Sequence, residues 1–170
     1  MSQTHLITRE IGIDMGHRVT FHGSKCRNLH GHRYTIQATC EGPLFQEGEQ
    51  QGMVLDFGFL KEEMMNEIDA PCDHGMCLWR EDTFVEKFLA SFSQRQLDDM
   101  VRNVQRRGHY AGVSDFGKIY IVPFVPTAEN LAKHWFDRLA PRVEERSGGR
   151  ASLLSVKVDE TPNCSATYIK

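Results

Sequence analysis

Long apolar runs are missing from this 170-residue chain. Nothing in it approaches the ~18 consecutive apolar residues of a membrane-crossing helix, so no such helix and no membrane partner is expected. The opening, MSQTHLITREIGIDMG, lacks a basic segment followed by an apolar core, which argues against a secretory leader. A basic excess is missing too: 20 Lys and Arg stand against 23 Asp and Glu, for a formal charge of −3. No global field favours nucleic acid, and the local run RNVQRR (102–107) reads as a solvated helix face. Cysteine is sparse and odd in number, with Cys26, Cys40, Cys72, Cys77 and Cys164 in no regular framework. That usage fits a reducing, cytoplasmic setting. Internal repeats and low-complexity segments are also lacking. What remains, 40% hydrophobic and 25% charged, is enough for one globular domain with a real core.

Histidine is relatively plentiful, with eight residues, and their placement is informative. HLITREIGIDMGHRV (5–19) alternates, so Ile11, Ile13, Met15, His17 and Val19 share one face of a strand. HRYTIQATCEG (32–42) reads as a second strand, with His30 and His32 on the parity of Tyr34, Ile36 and Ala38. Two imidazoles two residues apart project from one face, roughly 6.5–7 Å apart along the strand. They can converge on one ion, and His17 on an antiparallel neighbour is the best third ligand. Three neutral imidazoles suit Zn²⁺ and leave a coordination position open. Two other readings stay beside this one: core histidines without a metal, and a closed structural zinc with Cys26 as fourth ligand.

Cys26 also reads as a reactive thiol, because Lys25 and Arg27 flank it and positive charge favours the thiolate. An ordinary turn cysteine is the plainer alternative. Asp73 and His74 lie in a segment read as a loop, APCDHGMCLW (70–79), where a carboxylate can fix an imidazole's tautomer. An exposed histidine beside a turn aspartate is the rival reading. Glu160 ends a strand on the apolar parity of Leu154, Val156 and Val158, so it needs a partner such as a guanidine-like ligand edge, unless the strand simply surfaces there. The Cys72 to Cys77 spacing matches no standard zinc pattern.

The remaining elements follow from periodicity and punctuation. A polar, Gly-rich connection covers 41–52. A helix is expected over 56–69 with Asp56 as N-cap. A second, over about 93–107, opens on a Ser93/Gln96 capping box and ends at Gly108. Residues 109–118 read as a loop and 119–125 as extended, with Pro123 arguing for an edge strand. A third helix runs over 126–139 with Thr127 as N-cap, and Pro141 is expected to end or kink it. Residues 151–160 and 164–170 form a hairpin around Thr161-Pro162-Asn163. The order is ββ, α, insertion, α, ββ.

Together, GHRV (16–19), CRNLHGH (26–32), GMVLDFGFLK (52–61), CDHGMCL (72–78), PTAENLA (126–132) and VDETPNCSATY (158–168) resemble the 6-pyruvoyltetrahydropterin synthase and 6-carboxytetrahydropterin synthase family. The resemblance implies an α+β T-fold (ββααββ), with an antiparallel four-stranded sheet backed by two helices. Residues 1–170 would form a single T-fold domain, with an insertion at about 80–125 between the helices. It implies zinc on His17, His30 and His32, a catalytic Cys26, and an Asp73-His74 relay. It implies a pterin anchored by Glu160, with Thr127 in the pterin pocket. It also implies a homohexamer of two trimers with active sites between subunits, so that Asp73 and His74 serve a neighbour's zinc.

The short spacing Cys26-x-x-x-His30-Gly-His32 resembles the 6-carboxy branch of the queuosine and deazapurine pathway. That branch acts on 7,8-dihydroneopterin triphosphate and releases acetaldehyde and triphosphate. The pyruvoyl-forming reaction on the same substrate is one alternative, and a non-catalytic zinc-stabilised oligomeric module is another. Lys25, Arg27 and Arg33 are candidate triphosphate contacts. The insertion, which the family core does not need, is expected to be a peripheral decoration, a cover for the site or a change to the oligomer interface.

Overall fold

The computed structural model describes residues 3–170. Alternation builds its first two strands. β1 (His5–His17) buries Ile11, Ile13, Met15 and His17, and β2 (His30–Gly42) buries Tyr34, Ile36, Ala38 and Cys40. They pair antiparallel in a register that sets His17 opposite His30 and Met15 opposite His32. β6 (Ser152–Thr161) pairs with β2, and β7 (Cys164–Ile169) pairs with β6, both antiparallel. A register shift between Thr39 and Cys40 puts Leu153 in the core instead of Leu154. A bulge of this kind flips the facing of every residue beyond it.

These four strands are the expected sheet, but they are only part of the observed one. Three more extend it: β3 (Gly75–Trp79), β4 (Tyr110–Ser114) and β5 (Gly117–Val122). The result is a seven-stranded mixed sheet in the order β4-β5-β3-β1-β2-β6-β7. β3 runs parallel to both β1 and β5, while β4 and β5 form an antiparallel hairpin. The four-stranded antiparallel expectation fails because the segments read as loops, 70–79 and 109–118, carry β3 and β4, and the segment read as extended, 119–125, joins the same sheet as β5. β5 is no edge strand, and Pro123 falls just beyond its last residue, where it removes no ladder bond.

Both faces of β3 and β5 are covered, which explains their continuous apolar character. Cys77, Tyr120 and Val122 face the main core, while Leu78, Ile119 and Ile121 face a second apolar cluster. That cluster is closed by α3 (Val85–Phe88) and α4 (Gln94–Arg107) through Val85, Met100 and Val104. The Ser93/Gln96 capping box starts α4, and Gly108 ends it in the left-handed conformation that glycine adopts without strain.

The main core lies between the sheet and two longer elements. α1 (Phe57–Met64) starts at Asp56, whose side chain accepts from the Gly58 amide. It continues through a π-helical turn (Met65–Asp69) into α2 (Ala70–Cys72). α5 (Ala128–Ser147) buries Leu131, Trp135, Leu139 and Val143. Pro141 neither ends α5 nor limits it to 139. Proline inside a helix costs ~3 kcal/mol, and burying Leu139 and Val143 on its two sides offsets that. No helix among the described residues is long and apolar enough to cross a membrane.

Candidate active site

The β1–β2 register brings His17, His30 and His32 together on the core side of the sheet. Their ring centroids lie 4.6, 5.2 and 5.0 Å apart, and one nitrogen from each falls within 4.8 Å of the others. Backbone carbonyls fix two tautomers. His17 donates from Nδ1 to the Pro126 carbonyl at 2.8 Å, and His30 donates from Nδ1 to the Asn28 carbonyl at 2.8 Å. Each therefore presents an Nε2 lone pair. Burial holds the His17 pKa below its ordinary value, and the same cause lowers His32. Neutral imidazoles are what a metal requires.

The orphaned atoms give the test of fit. Nε2 of His17 and Nε2 of His32 are buried without a hydrogen-bond partner. His32 Nε2 lies 3.2 Å from Glu160 Oε1, within charge-pairing range but not aligned as a hydrogen bond. Buried polar atoms normally find partners, and lone pairs converging on one point fit a metal ion. Cys26 is not part of this convergent group. That geometry disfavours the four-ligand arrangement in which Cys26 closes the site. All five cysteines are free thiols.

Cys26 instead lines an adjacent cavity of about 250 Å³ with Thr127, Glu160, His22 and Cys164. A single turn, Lys25–Arg27, carries it, and its carbonyl accepts from the Val19 amide at 2.8 Å. Thr127 caps α5 by accepting from the Asn130 amide, so the start of that helix faces the same cavity. The three histidines, Cys26, Thr127 and Glu160, all singled out in the sequence, thus meet in one place.

Asp73 and His74 lie elsewhere. The His74 amide donates to the Asp14 carbonyl at 2.7 Å, and the Asp14 amide donates to Asp73 Oδ1 at 2.8 Å. Asp14 has the opposite parity to Met15 and His17, and its carboxylate is grouped with Asp73 and His74. The dyad therefore faces the other side of β1 from the histidine triad. Adjacent as they are, the two side chains do bond: His74 Nδ1 is 2.7 Å from Asp73 Oδ2. Desolvation pulls the Asp73 pKa up, but the Asp14 amide and the His74 imidazole outweigh it and leave the carboxyl below its ordinary value. His74 holds a left-handed backbone with φ 55°, which is uncommon outside glycine. The Lys118 ammonium braces this turn by donating to the Asp73 carbonyl at 2.7 Å. The His74 imidazole is 76% exposed.

Sequence reasoning misses the orienting groups. The Pro126 and Asn28 carbonyls select the histidine tautomers, yet a backbone carbonyl leaves no signature in the residue types. Tyr34 reads in the sequence only as a core residue. In the structure it packs edge-on against His17 and His32 at 5.8 and 5.7 Å, with its buried hydroxyl unpartnered.

Comparison with known proteins agrees with this geometry. The family model for 6-pyruvoyl tetrahydropterin synthase matches residues 6–170. The curated 6-carboxy-5,6,7,8-tetrahydropterin synthase of Rickettsia bellii is 30% identical over 92% of this chain and 94% of its own. That of Haemophilus influenzae is 30% identical over 95% and 96%. Among solved structures, an uncharacterized protein from Wolinella succinogenes superposes with a TM-score of 0.74 at 23% identity, covering 99% of both proteins. The Caenorhabditis elegans 6-pyruvoyl tetrahydropterin synthase does so with a TM-score of 0.59 at 20% identity, covering 99% of this chain and 97% of that one. These two structures share the fold, and the family match with the curated relatives adds the chemistry. The protein belongs to the 6-pyruvoyl tetrahydropterin synthase family and is a lyase of that family.

Proposed function

We propose that this protein is a zinc-dependent lyase that converts 7,8-dihydroneopterin triphosphate and water to 6-carboxy-5,6,7,8-tetrahydropterin, acetaldehyde and triphosphate, in queuosine and deazapurine biosynthesis. The observation that carries this reading is the convergence of three histidine nitrogens within 4.8 Å, with Cys26, Thr127 and Glu160 lining the adjoining cavity. The printed names of the relatives in Rickettsia bellii and Haemophilus influenzae support the carboxy product over the pyruvoyl one. The three-residue gap from Cys26 to His30 supports the same choice.

His17, His30 and His32 would hold the zinc, which would supply Lewis acidity toward the substituent that the pterin ring carries. The Cys26 thiolate takes and returns protons on one side of the substrate. Glu160 accepts two hydrogen bonds from the amino-pyrimidine edge of the pterin and sets its register, as a carboxylate does with a guanidinium. Thr127 and the start of α5 wall the pterin. On the other side His74, oriented by Asp73, moves protons.

Since the dyad faces away from its own triad, His74 and Asp73 serve the site of a neighbouring subunit. Two open strand edges suit such an assembly. β3 pairs only with Met15 and Gly16 of β1, and the Asp73-His74 turn occupies the Asp14 backbone, leaving residues 5–13 of that edge free, while β7 ends the sheet on the other side. Edge-to-edge pairing of β1 with β7 of the next copy, repeated in a trimer and doubled, gives a homohexamer in the cytoplasm. An unpaired edge of that length otherwise invites aggregation.

Incubating the zinc-loaded protein with 7,8-dihydroneopterin triphosphate and identifying every product tests the reading. A 6-carboxy pterin with acetaldehyde and triphosphate supports it. A pyruvoyl pterin without acetaldehyde would replace it with the sister reaction.

A further inference from the structure

The polar segment that follows Trp79 sends one carboxylate back to the active-site loop. The Asp82 side chain is fully buried, in a segment otherwise rich in exposed charge. Its Oδ1 accepts from the Phe84 amide at 2.8 Å, which fixes the carboxylate at the start of α3. Its Oδ2 accepts from the Thr20 hydroxyl and lies 3.1 Å from Arg18 Nε, a charge pair without hydrogen-bond alignment. The Arg18 guanidinium, itself nearly buried, also lies 4.3 Å above the Phe84 ring. Beside this contact, Phe21 packs edge-on against Trp79 at 5.4 Å.

The residues so held are not arbitrary. Arg18 directly follows His17, and Thr20 and Phe21 lie in the connection from His17 to Cys26. That connection is closed on itself by the Val19 amide donating to the Cys26 carbonyl at 2.8 Å and the His22 amide donating to the Val19 carbonyl at 3.0 Å. It forms one compact loop, with a metal-ligand candidate at one end and the reactive thiol at the other. Burying a carboxylate is expensive unless it is paired and hydrogen-bonded, so its complete burial against this loop needs a return.

We propose that Asp82 is a positioning residue: through Arg18 and Thr20 it clamps the His17–Cys26 loop and sets where the Cys26 thiol stands relative to the histidine triad. The segment at 80–125 is thereby a working part of the site, joined to it through one buried carboxylate. The proposal rests on the reading of Cys26 as the proton-moving thiol, and the experiment separates the two. A misplacement of about 1 Å at a reacting group costs on the order of a hundredfold in rate.

The test compares wild type, Asp82→Asn, Asp82→Glu, Thr20→Val and Cys26→Ala as zinc-loaded proteins. Turnover of 7,8-dihydroneopterin triphosphate, zinc content and the peptide-resolved rate of Cys26 alkylation by iodoacetamide are measured. Asp82→Asn is expected to lower kcat by about ten- to a hundredfold, with KM and zinc content near wild type and an altered Cys26 alkylation rate. Asp82→Glu, which keeps the charge, is expected to recover part of the loss. Thr20→Val removes a single hydroxyl and decides the matter if Asp82→Asn does not fold. A lowered thermal midpoint with kcat and Cys26 alkylation unchanged would make Asp82 structural only and overturn the proposal. If Cys26→Ala retains full turnover, the catalytic reading of Cys26 fails, and unchanged alkylation in Thr20→Val and Asp82→Asn then overturns the clamp separately.

Discussion

Two groups of histidines lie in this fold, and their nitrogens are treated differently. On β1 and β2, His17 and His30 spend Nδ1 on backbone carbonyls, while Nε2 of His17 and of His32 is buried with no partner. Near β5, His109 and His134 have their buried nitrogens engaged. The Tyr120 hydroxyl donates to His134 Nε2 at 2.7 Å, and Arg138 donates to His109 Nδ1 at 3.0 Å. Arg138 is paired in turn with Glu67. Because His109 Nδ1 takes that proton, its 3.3 Å approach to the Arg107 carbonyl is not also a hydrogen bond. His109 stacks on Tyr120 at 4.9 Å. Burial depresses the pKa of His17 and His32 in one group and of His109 and His134 in the other, so the shift alone does not tell a site from a scaffold. What separates them is whether the lone pairs have been satisfied. The first group keeps lone pairs that could hold a metal ion, and the second completes the packing between α5 and the added strands.

The largest expected break in this contrast is loss of a triad ligand. His17→Ala and His32→Ala are expected to lose zinc and turnover together, measured by metal analysis and product formation. His134→Gln and His109→Gln leave zinc content unchanged. A triad variant that kept stoichiometric zinc would erase the distinction.

The next effect is on stability against pH. Burial and then the neighbouring Arg138 push His109 down to about 4 and His134 down to about 3. Both are neutral in the folded protein and take up a proton on unfolding below the ordinary value of 6.5. Their contribution to stability is therefore complete above pH 6.5 and is lost as pH falls toward those lower values. The limiting slope is ~1.4 kcal/mol per pH unit for each group. Since the two histidines share Arg138 and are not fully buried, a combined loss on the order of 2–4 kcal/mol is expected between pH 6.5 and 4. Denaturant unfolding of wild type and of the double His109→Gln/His134→Gln variant checks it, and the variant's profile is expected to be flatter over that window.

A smaller effect sharpens the contrast from the other side. Tyr120→Phe leaves His134 Nε2 without its donor and is expected to cost about 1–3 kcal/mol, read from the denaturation midpoint, with turnover little changed. Smaller again, Ser93→Ala removes the cap of α4 and is expected to cost about 1 kcal/mol.

The triad is legible in the sequence because a period of two places His30 and His32 on one face, and His17 lies on the apolar parity of the strand that pairs with them. The Asp56, Ser93 and Thr127 caps are legible because the first turn of a helix needs an acceptor for its free amides. Of the added strands, β3 and β4 are not, and β5 reads as extended without its central place in the sheet. IYIV at 119–122 is apolar throughout because both faces are covered, which removes the alternation that marks a half-buried strand. Met76, Cys77, Leu78 and Trp79 hide behind a Pro-containing turn for the same reason. Periodicity gives Leu154 the parity that a bulge transfers to Leu153, and one-residue bulges leave no clear mark in the sequence. Asp73 and His74 can be picked out, but which face of the sheet they occupy depends on β3 pairing with β1, a contact between segments far apart in sequence.

The central claim is that the triad alone holds the metal while Cys26 works beside it. The most direct measurement is zinc stoichiometry and turnover of 7,8-dihydroneopterin triphosphate in Cys26→Ala beside wild type. The account predicts equal zinc in both and turnover reduced about 10²–10⁴-fold in the variant. Loss of zinc from Cys26→Ala, in step with its turnover, would contradict it and make the cysteine a ligand.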